Sequence, residues 1–215
     1  MTAGMPRKDF LGPLAQARLM AIVRAPDADG AVRAALALCD AGVRLVEISL
    51  TTRGALDAIA RLRAEAPSQV WVGAGTVLTA RDVTDVLAAG AGFVVTPALA
   101  ESVDAAVAAG VPVAAGAFTP SEAVAAVQRG ADVVKLFPAS VLGPGYLRAL
   151  RDPLPDVPFM AVGGIGVDAA RDFLAAGAVA VGVGSPLLGD AATGGDLDAL
   201  RGRAQELIQA AAGTT

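Results

Sequence analysis

The stretch Gln128–Ser140, QRGADVVKLFPAS, contains the unit from which the whole chain is built. A polar helical ending stops at Gly130, β-branched and apolar residues follow, and Phe137-Pro138 ends the run. Glycine just past a helix suits a left-handed C-cap leading into a strand. The run shows almost no apolar-polar alternation, as expected of a strand covered on both faces. Only Lys135 interrupts it.

The unit recurs along the chain. Similar runs are LMAIVR (Leu19–Arg24), VRLVEIS (Val43–Ser49), VWVGAG (Val70–Gly75) and GFVVTP (Gly92–Pro97). They continue with VPVAAGA (Val111–Ala117), DVVKLFP (Asp132–Pro138), VPFMAVGG (Val157–Gly164) and VAVGVGS (Val179–Ser185). Ala-rich segments of helical periodicity lie between them. Gly42, Gly90, Gly110, Gly130 and Gly177 each fall just before a run. Eight strand-helix units predict an α/β fold, a closed (β/α)8 TIM barrel. A first helix over Arg7–Ala17 is expected to cover the barrel bottom. The alternative is an open doubly wound sheet, which calls for fewer strands and a Gly-rich loop after the first. Here that loop is RAPDADG, without a dinucleotide fingerprint.

The chain has 215 residues, and no linker or shift of composition divides it, so residues 1–215 read as one domain. It is 54% hydrophobic and 18% charged, with a net charge of -4. No long basic run exists, which argues against nucleic acid as a partner. No apolar segment reaches the roughly 18 residues of a membrane span. The start lacks the apolar core of a signal peptide, and the single Cys39 agrees with a reducing, cytoplasmic setting. There is no histidine. His-metal sites, His general bases and Ser-His-Asp triads are thereby excluded.

Barrel active sites lie at the C-terminal strand ends. Strand parity puts Val134 and Leu136 under the helices and points Lys135 inward. A desolvated ammonium has a lowered pKa and a larger nucleophilic fraction. The alternative is a structural lysine paired with a buried carboxylate. Glu47 points inward by the same parity from strand two, opposite strand six. It can move protons at a substrate bound to Lys135, or form a plain ion pair with it. AVGGIG and VGVGSP, after strands seven and eight, suit phosphate held by backbone N–H groups and a short helix N-terminus. A tight turn is the bland reading of such glycines. Thr76 and Arg24 are candidates for a substrate carboxylate. Against this, Thr76 can cap the following helix, although Thr79 is the better cap, and Arg24 can be a surface charge.

VEISLTT, VGAGTVL, VVTPAL, VVKLFPAS, FMAVGGIG and VGVGSPLL run in this order between about Leu19 and Leu188. In that order they resemble the 2-keto-3-deoxy-6-phosphogluconate (KDPG) aldolase family. KLFPASVLGPGYLRAL is most similar to the branch acting on the galactonate epimer, 2-dehydro-3-deoxy-6-phosphogalactonate (KDPGal). The resemblance implies a Schiff-base aldolase with no metal or cofactor, usually a homotrimer. It would cleave a phosphorylated 2-keto-3-deoxy sugar acid to pyruvate and glyceraldehyde 3-phosphate. It implies that Lys135 is the Schiff-base lysine and Glu47 the general acid/base. Thr76, Pro97 and Phe137 become substrate contacts, and Gly163, Gly164, Gly184 and Ser185 the phosphate loops. Gluconate-type members commonly carry Arg where this chain has Thr51. Arg24 matches an arginine of the galactonate branch, and Arg53 is the second candidate for that role. Val162 stands where gluconate-type relatives commonly have threonine. Three other readings stay open: an aldolase of other 2-keto acids such as 4-hydroxy-2-oxoglutarate, another phosphate-binding barrel, and a non-catalytic sugar-phosphate-binding barrel.

Overall fold

The structure is a computed structural model and describes residues 9–213. Helix α1 (Leu11–Ala17) precedes β1 (Leu19–Val23), α2 (Ala28–Asp40), β2 (Leu45–Ser49) and α3 (Ala55–Glu65). Then come β3 (Trp71–Gly75), α4 (Ala80–Ala88), β4 (Val94–Val95), α5 (Glu101–Ala108) and β5 (Val113–Ala117). Next are α6 (Pro120–Gln128), β6 (Val133–Leu136), α7 (Ala139–Arg151), β7 (Phe159–Val162) and α8 (Val167–Ala175). The chain closes with β8 (Ala180–Val183), the short α9 (Ser185–Leu188), a 3-10 turn and α10 (Leu197–Ala212). The strands pair in parallel in chain order, and β8 pairs with β1. This is the closed (β/α)8 barrel, and the closure rules out the open sheet.

The five glycines do what their placement suggests. In each, the glycine N–H bonds the carbonyl three residues back, and the next N–H bonds the carbonyl five back, as in Gly42–Cys39 (3.0 Å) and Val43–Leu38 (3.0 Å). These are Schellman motifs. All five glycines take left-handed φ, which a Cβ would resist. Each helix is therefore released toward its strand through the same geometry. At the other end, Thr79 and Thr119 form capping boxes with Asp82 and Glu122. Thr79 is thus the cap of α4, and Thr76 is free of that task.

Two boundaries differ from expectation. The first helix starts at Leu11, after Asp9 and Phe10 outside it, where the sequence suggested Arg7; residues 1–8 lie outside the described ones. Phe10 and Leu14 nevertheless pack on Met20, Leu45 and Phe93 inside the barrel. The Phe10 ring lies 4.9 Å from that of Phe93 and 5.9 Å from that of Trp71. The segment thus closes the barrel bottom. Strand β4 is only two residues long, where the run Gly92–Pro97 suggested six. The ladder ends early because the Thr96 hydroxyl takes over. It accepts from the Gly116 N–H (3.1 Å) and donates to the Ala98 carbonyl (2.7 Å).

The barrel interior is filled by large side chains lying over glycines. Phe93 covers Gly73, Val162 covers Gly182, and the Pro97 backbone lies against Gly116. A Cβ at Gly116 would meet backbone that cannot rotate away. Overpacking of this kind costs about 1–3 kcal/mol. Gly202, exposed in α10, has open space around it. Gly116→Ala should lower the unfolding free energy measured in urea by about 1–3 kcal/mol. Gly202→Ala should raise stability by about 0.4–1 kcal/mol, because the unfolded chain loses freedom. Equal effects of the two substitutions would contradict this packing.

Candidate active site

Strand parity is realised as read. Val46, Ile48, Val134 and Leu136 join the core between sheet and helices, whereas Leu45, Val133 and Phe137 face the interior. Glu47 and Lys135 lie between the latter and are 2% and 6% exposed. The space of the Glu47 carboxyl is made by glycine: a Cβ at Gly75 would fall on it.

Both groups open into a cavity of about 510 Å³ at the C-terminal strand ends. All eleven residues selected from the sequence line it. Arg24 directly follows β1, Glu47 lies in β2, Thr76 and Pro97 in the loops after β3 and β4, Lys135 in β6, and Phe137 directly after it. Val162, Gly163 and Gly164 come from β7 and its loop, and Gly184 and Ser185 from the β8 loop. Arg53 and Thr51 are exposed and do not line the cavity, so Arg24 alone of the two candidate arginines reaches it. Thr52 accepts from the Ala25 N–H (3.1 Å), which ties the end of β1 to the β2 loop beside Arg24.

Sequence reasoning missed Ile22, Pro186, Leu188 and Gly189. Ile22 was within reach, since it shares the inward parity of Arg24. The others belong to α9, which folds back over the cavity. Arg203 of α10 holds it there, donating to the carbonyls of Leu187 (2.7 Å) and Leu188 (2.8 Å).

Burial controls the charges. It pushes the Glu47 carboxyl above its ordinary pKa, against the pull of Lys135 and Arg24. It pushes the Lys135 amine below its ordinary value, against Glu47, while Arg24 pushes it further down. Both buried groups therefore lean toward their neutral forms. Arg24 favours loss of a proton from either one. The Lys135 Nζ lies 4.9 Å from the centre of the Phe137 ring, whose face attracts the ammonium. Among the described residues no ion pair joins Lys135 to Glu47, and Glu47 Oε2 is buried without a hydrogen-bond partner. The plain ion pair offered by the sequence is not formed. An unpartnered buried carboxyl oxygen is costly in a static scaffold and useful where a proton must be moved.

The phosphate-loop candidates are bare backbone. Gly163 and Gly164 take φ of +100° and +71° in succession. Side chains there would strike Phe137 and Ser140. Ser49, at the end of β2, is fully buried and bonds Thr51 Oγ1 (2.8 Å) and Thr76 Oγ1 (2.9 Å). Among the described residues no three His, Cys, Asp or Glu side chains gather as a metal site. Nor is any helix long and apolar enough to cross a membrane.

Comparison with known proteins agrees with this geometry. The family model "KDPG and KHG aldolase" matches residues 12–201. The KHG/KDPG aldolase of Escherichia coli (strain K12) is 38% identical over 184 residues, 84% of this chain and 86% of its own. The probable 2-dehydro-3-deoxy-6-phosphogalactonate aldolase of Rhizobium meliloti (strain 1021) is 36% identical over 181 residues, 83% of this chain and 85% of its own. The solved native KDPGal structure superposes with a TM-score of 0.86 at 30% identity, covering 98% of each chain. Matches of this extent, on a barrel that brings Lys135 and Glu47 to one cavity, make the chain a member of the KDPG and KHG aldolase family, a metal-independent class I aldolase.

Proposed function

We propose that this aldolase cleaves KDPGal, and to a lesser or comparable degree its gluconate epimer, to pyruvate and D-glyceraldehyde 3-phosphate, with Lys135 as the Schiff-base lysine. The observation that carries the reading is the pair of buried groups, Lys135 and Glu47, at one cavity with their ordinary charges disfavoured by burial.

Breaking the C3–C4 bond leaves an electron pair on C3. A ketone at C2 accepts it poorly, and a protonated imine accepts it well. The neutral Lys135 amine attacks C2, and the protonated Glu47 carboxyl gives up the proton with which the C2 oxygen leaves as water, so that the iminium and the Glu47 carboxylate form together. Glu47 takes the C4 hydroxyl proton. The C4 oxygen then forms the aldehyde, the C3–C4 bond breaks, and its electrons pass to the iminium nitrogen. Glyceraldehyde 3-phosphate leaves, and the enamine of pyruvate remains on Lys135. Glu47 returns its proton to C3, water hydrolyses the iminium to pyruvate and the free amine, and the proton released goes back to the Glu47 carboxylate. Arginine cannot replace this lysine, because it stays protonated. Arg24 and Thr76 are assigned to the carboxylate, with Pro97 and Phe137 as walls. The main-chain N–H groups of Gly163, Gly164, Gly184 and Ser185 are assigned to the phosphate.

The epimers differ at C4, where the hydroxyl loses its proton. Val162 lines the cavity beside the phosphate loop and offers no hydrogen bond. A site built to bond a hydroxyl discriminates better than an apolar wall. The apolar wall therefore removes a reason to prefer the gluconate epimer. A second reading, cleavage of 4-hydroxy-2-oxoglutarate, draws on the family's breadth and the E. coli relative. Weak dependence on substrate phosphate would favour it. A cytoplasmic homotrimer completes the proposal.

Borohydride with pyruvate should leave one adduct, on Lys135. An adduct on Lys8, or none in active enzyme, would end the Schiff-base proposal. In the same preparation Glu47→Gln should stay folded and turn over about 10²- to 10⁴-fold more slowly, and turnover within twofold of wild type would move the proton transfer elsewhere. Val162→Thr should raise the rate on the gluconate epimer relative to KDPGal. An unchanged ratio, or a strong gluconate preference in wild type, would refute the epimer assignment and leave Lys135 untouched.

A further inference from the structure

We infer that Ser49, a side chain that cannot touch substrate, is a positioning residue: with Thr51 it holds Thr76 and turns its hydroxyl into a donor for the carboxylate of the keto acid. The inference rests on the aldolase reading above.

The first sign is strain. Thr76 has a φ of +61°, one of two non-glycine residues with positive φ among the described residues. A β-branched residue there is an outlier, and such a conformation persists only where the surroundings hold it. Helix capping does not account for it, since Thr79 caps α4. What holds Thr76 is Ser49, across the β2-β3 pair, through the bond of 2.9 Å between their hydroxyls. The strained backbone leaves the Thr76 side chain lining the cavity that also contains Arg24, Glu47 and Lys135.

Proton counting gives the direction. Ser49 Oγ has one hydrogen and two lone pairs. It meets the Thr51 N–H at 3.4 Å, Thr51 Oγ1 at 2.8 Å and Thr76 Oγ1 at 2.9 Å. The N–H must donate to it, which uses one lone pair. One lone pair and one hydrogen remain for the two threonine hydroxyls. When an anion enters the cavity, Thr76 must donate to it. Thr76 then needs to accept from Ser49, and Ser49 in turn accepts from the Thr51 hydroxyl. The three hydroxyls thus run Thr51 to Ser49 to Thr76 to carboxylate. Each bond polarises the next. The outer end of the chain is exposed at Thr51, the middle is fully buried, and only Thr76 reaches ligand.

The test is borohydride trapping on the full chain as a function of pyruvate concentration. It compares wild type, Ser49→Ala, Ser49→Thr and Thr51→Val, with methyl pyruvate as the uncharged control. Ser49→Ala should raise half-saturating pyruvate about three- to tenfold, the scale of one lost hydrogen bond. Labelling at saturation should stay within about twofold of wild type, since the amine is not altered. Ser49→Thr, which restores the hydroxyl, should recover most of the affinity. Methyl pyruvate should not distinguish wild type from Ser49→Ala. Thr51→Val, at an exposed position, should show a smaller rise in the same direction and serves alone if the buried variants fail to fold. Unchanged half-saturation in Ser49→Ala, or in Thr51→Val when it is the only folded variant, overturns the inference. So does a fall in saturated labelling with half-saturation unmoved, which is the mark of general loosening. Absence of a Lys135 label in wild type overturns the aldolase reading and this inference with it.

Discussion

An amine and a carboxyl reach into this barrel from opposite walls, and burial leaves neither hydrated enough to hold its charge freely. Burial disfavours the ammonium of Lys135 and the carboxylate of Glu47 alike. Their mutual attraction opposes this, yet no direct ion pair closes among the described residues. The pair is electrically neutral whether its proton sits on nitrogen or on oxygen. Arg24 breaks that balance, because its charge favours the state in which neither group is protonated. A free amine for attack and a free carboxylate for proton removal are what imine chemistry requires.

The scaffold makes this placement possible by subtraction. An eight-stranded interior is only wide enough for its side chains to fill. A long polar side chain fits there where glycine faces it: the Glu47 carboxyl occupies the volume a side chain at Gly75 would take. Lower in the barrel, Gly73 gives way to Phe93, which packs with Phe10 to seal the bottom. Water is thus kept from one end, and the cavity opens only at the other. The cost of the arrangement is the unpartnered Oε2 of Glu47. That cost is expected where a group must exchange protons rather than hold a structural bond.

Much of this could be read in the sequence because it rests on local rules. The glycines before strands announced left-handed caps, and all five form the same hydrogen-bonded motif. Period-two parity told the inward Glu47 and Lys135 from their aliphatic neighbours, without any knowledge of partners. The features that escaped are non-local. The end of β4 depends on a hydroxyl of Thr96 bonding strand β5. The link from Ser49 to Thr76 crosses between strands 27 residues apart. The fold-back of α9 depends on Arg203, from a helix that follows it. Arg24 was the stronger and Arg53 the weaker candidate for an anion, and the course of the β2 loop leaves Arg53 outside the cavity.

The central claim is that burial, opposed by Glu47, lowers the affinity of Lys135 for its proton. The sequence makes this directly measurable, since Lys8 and Lys135 are its two lysines. Protein carrying ¹³C-labelled lysine should give two side-chain signals, assigned through Lys8→Arg and titrated by NMR. The account predicts a Lys135 midpoint below the ordinary 10.5. It also predicts a further fall in Glu47→Gln, because the carboxylate's pull is lost. A Lys135 midpoint at or above 10.5, or one that rises when Glu47 is neutralised, would contradict it.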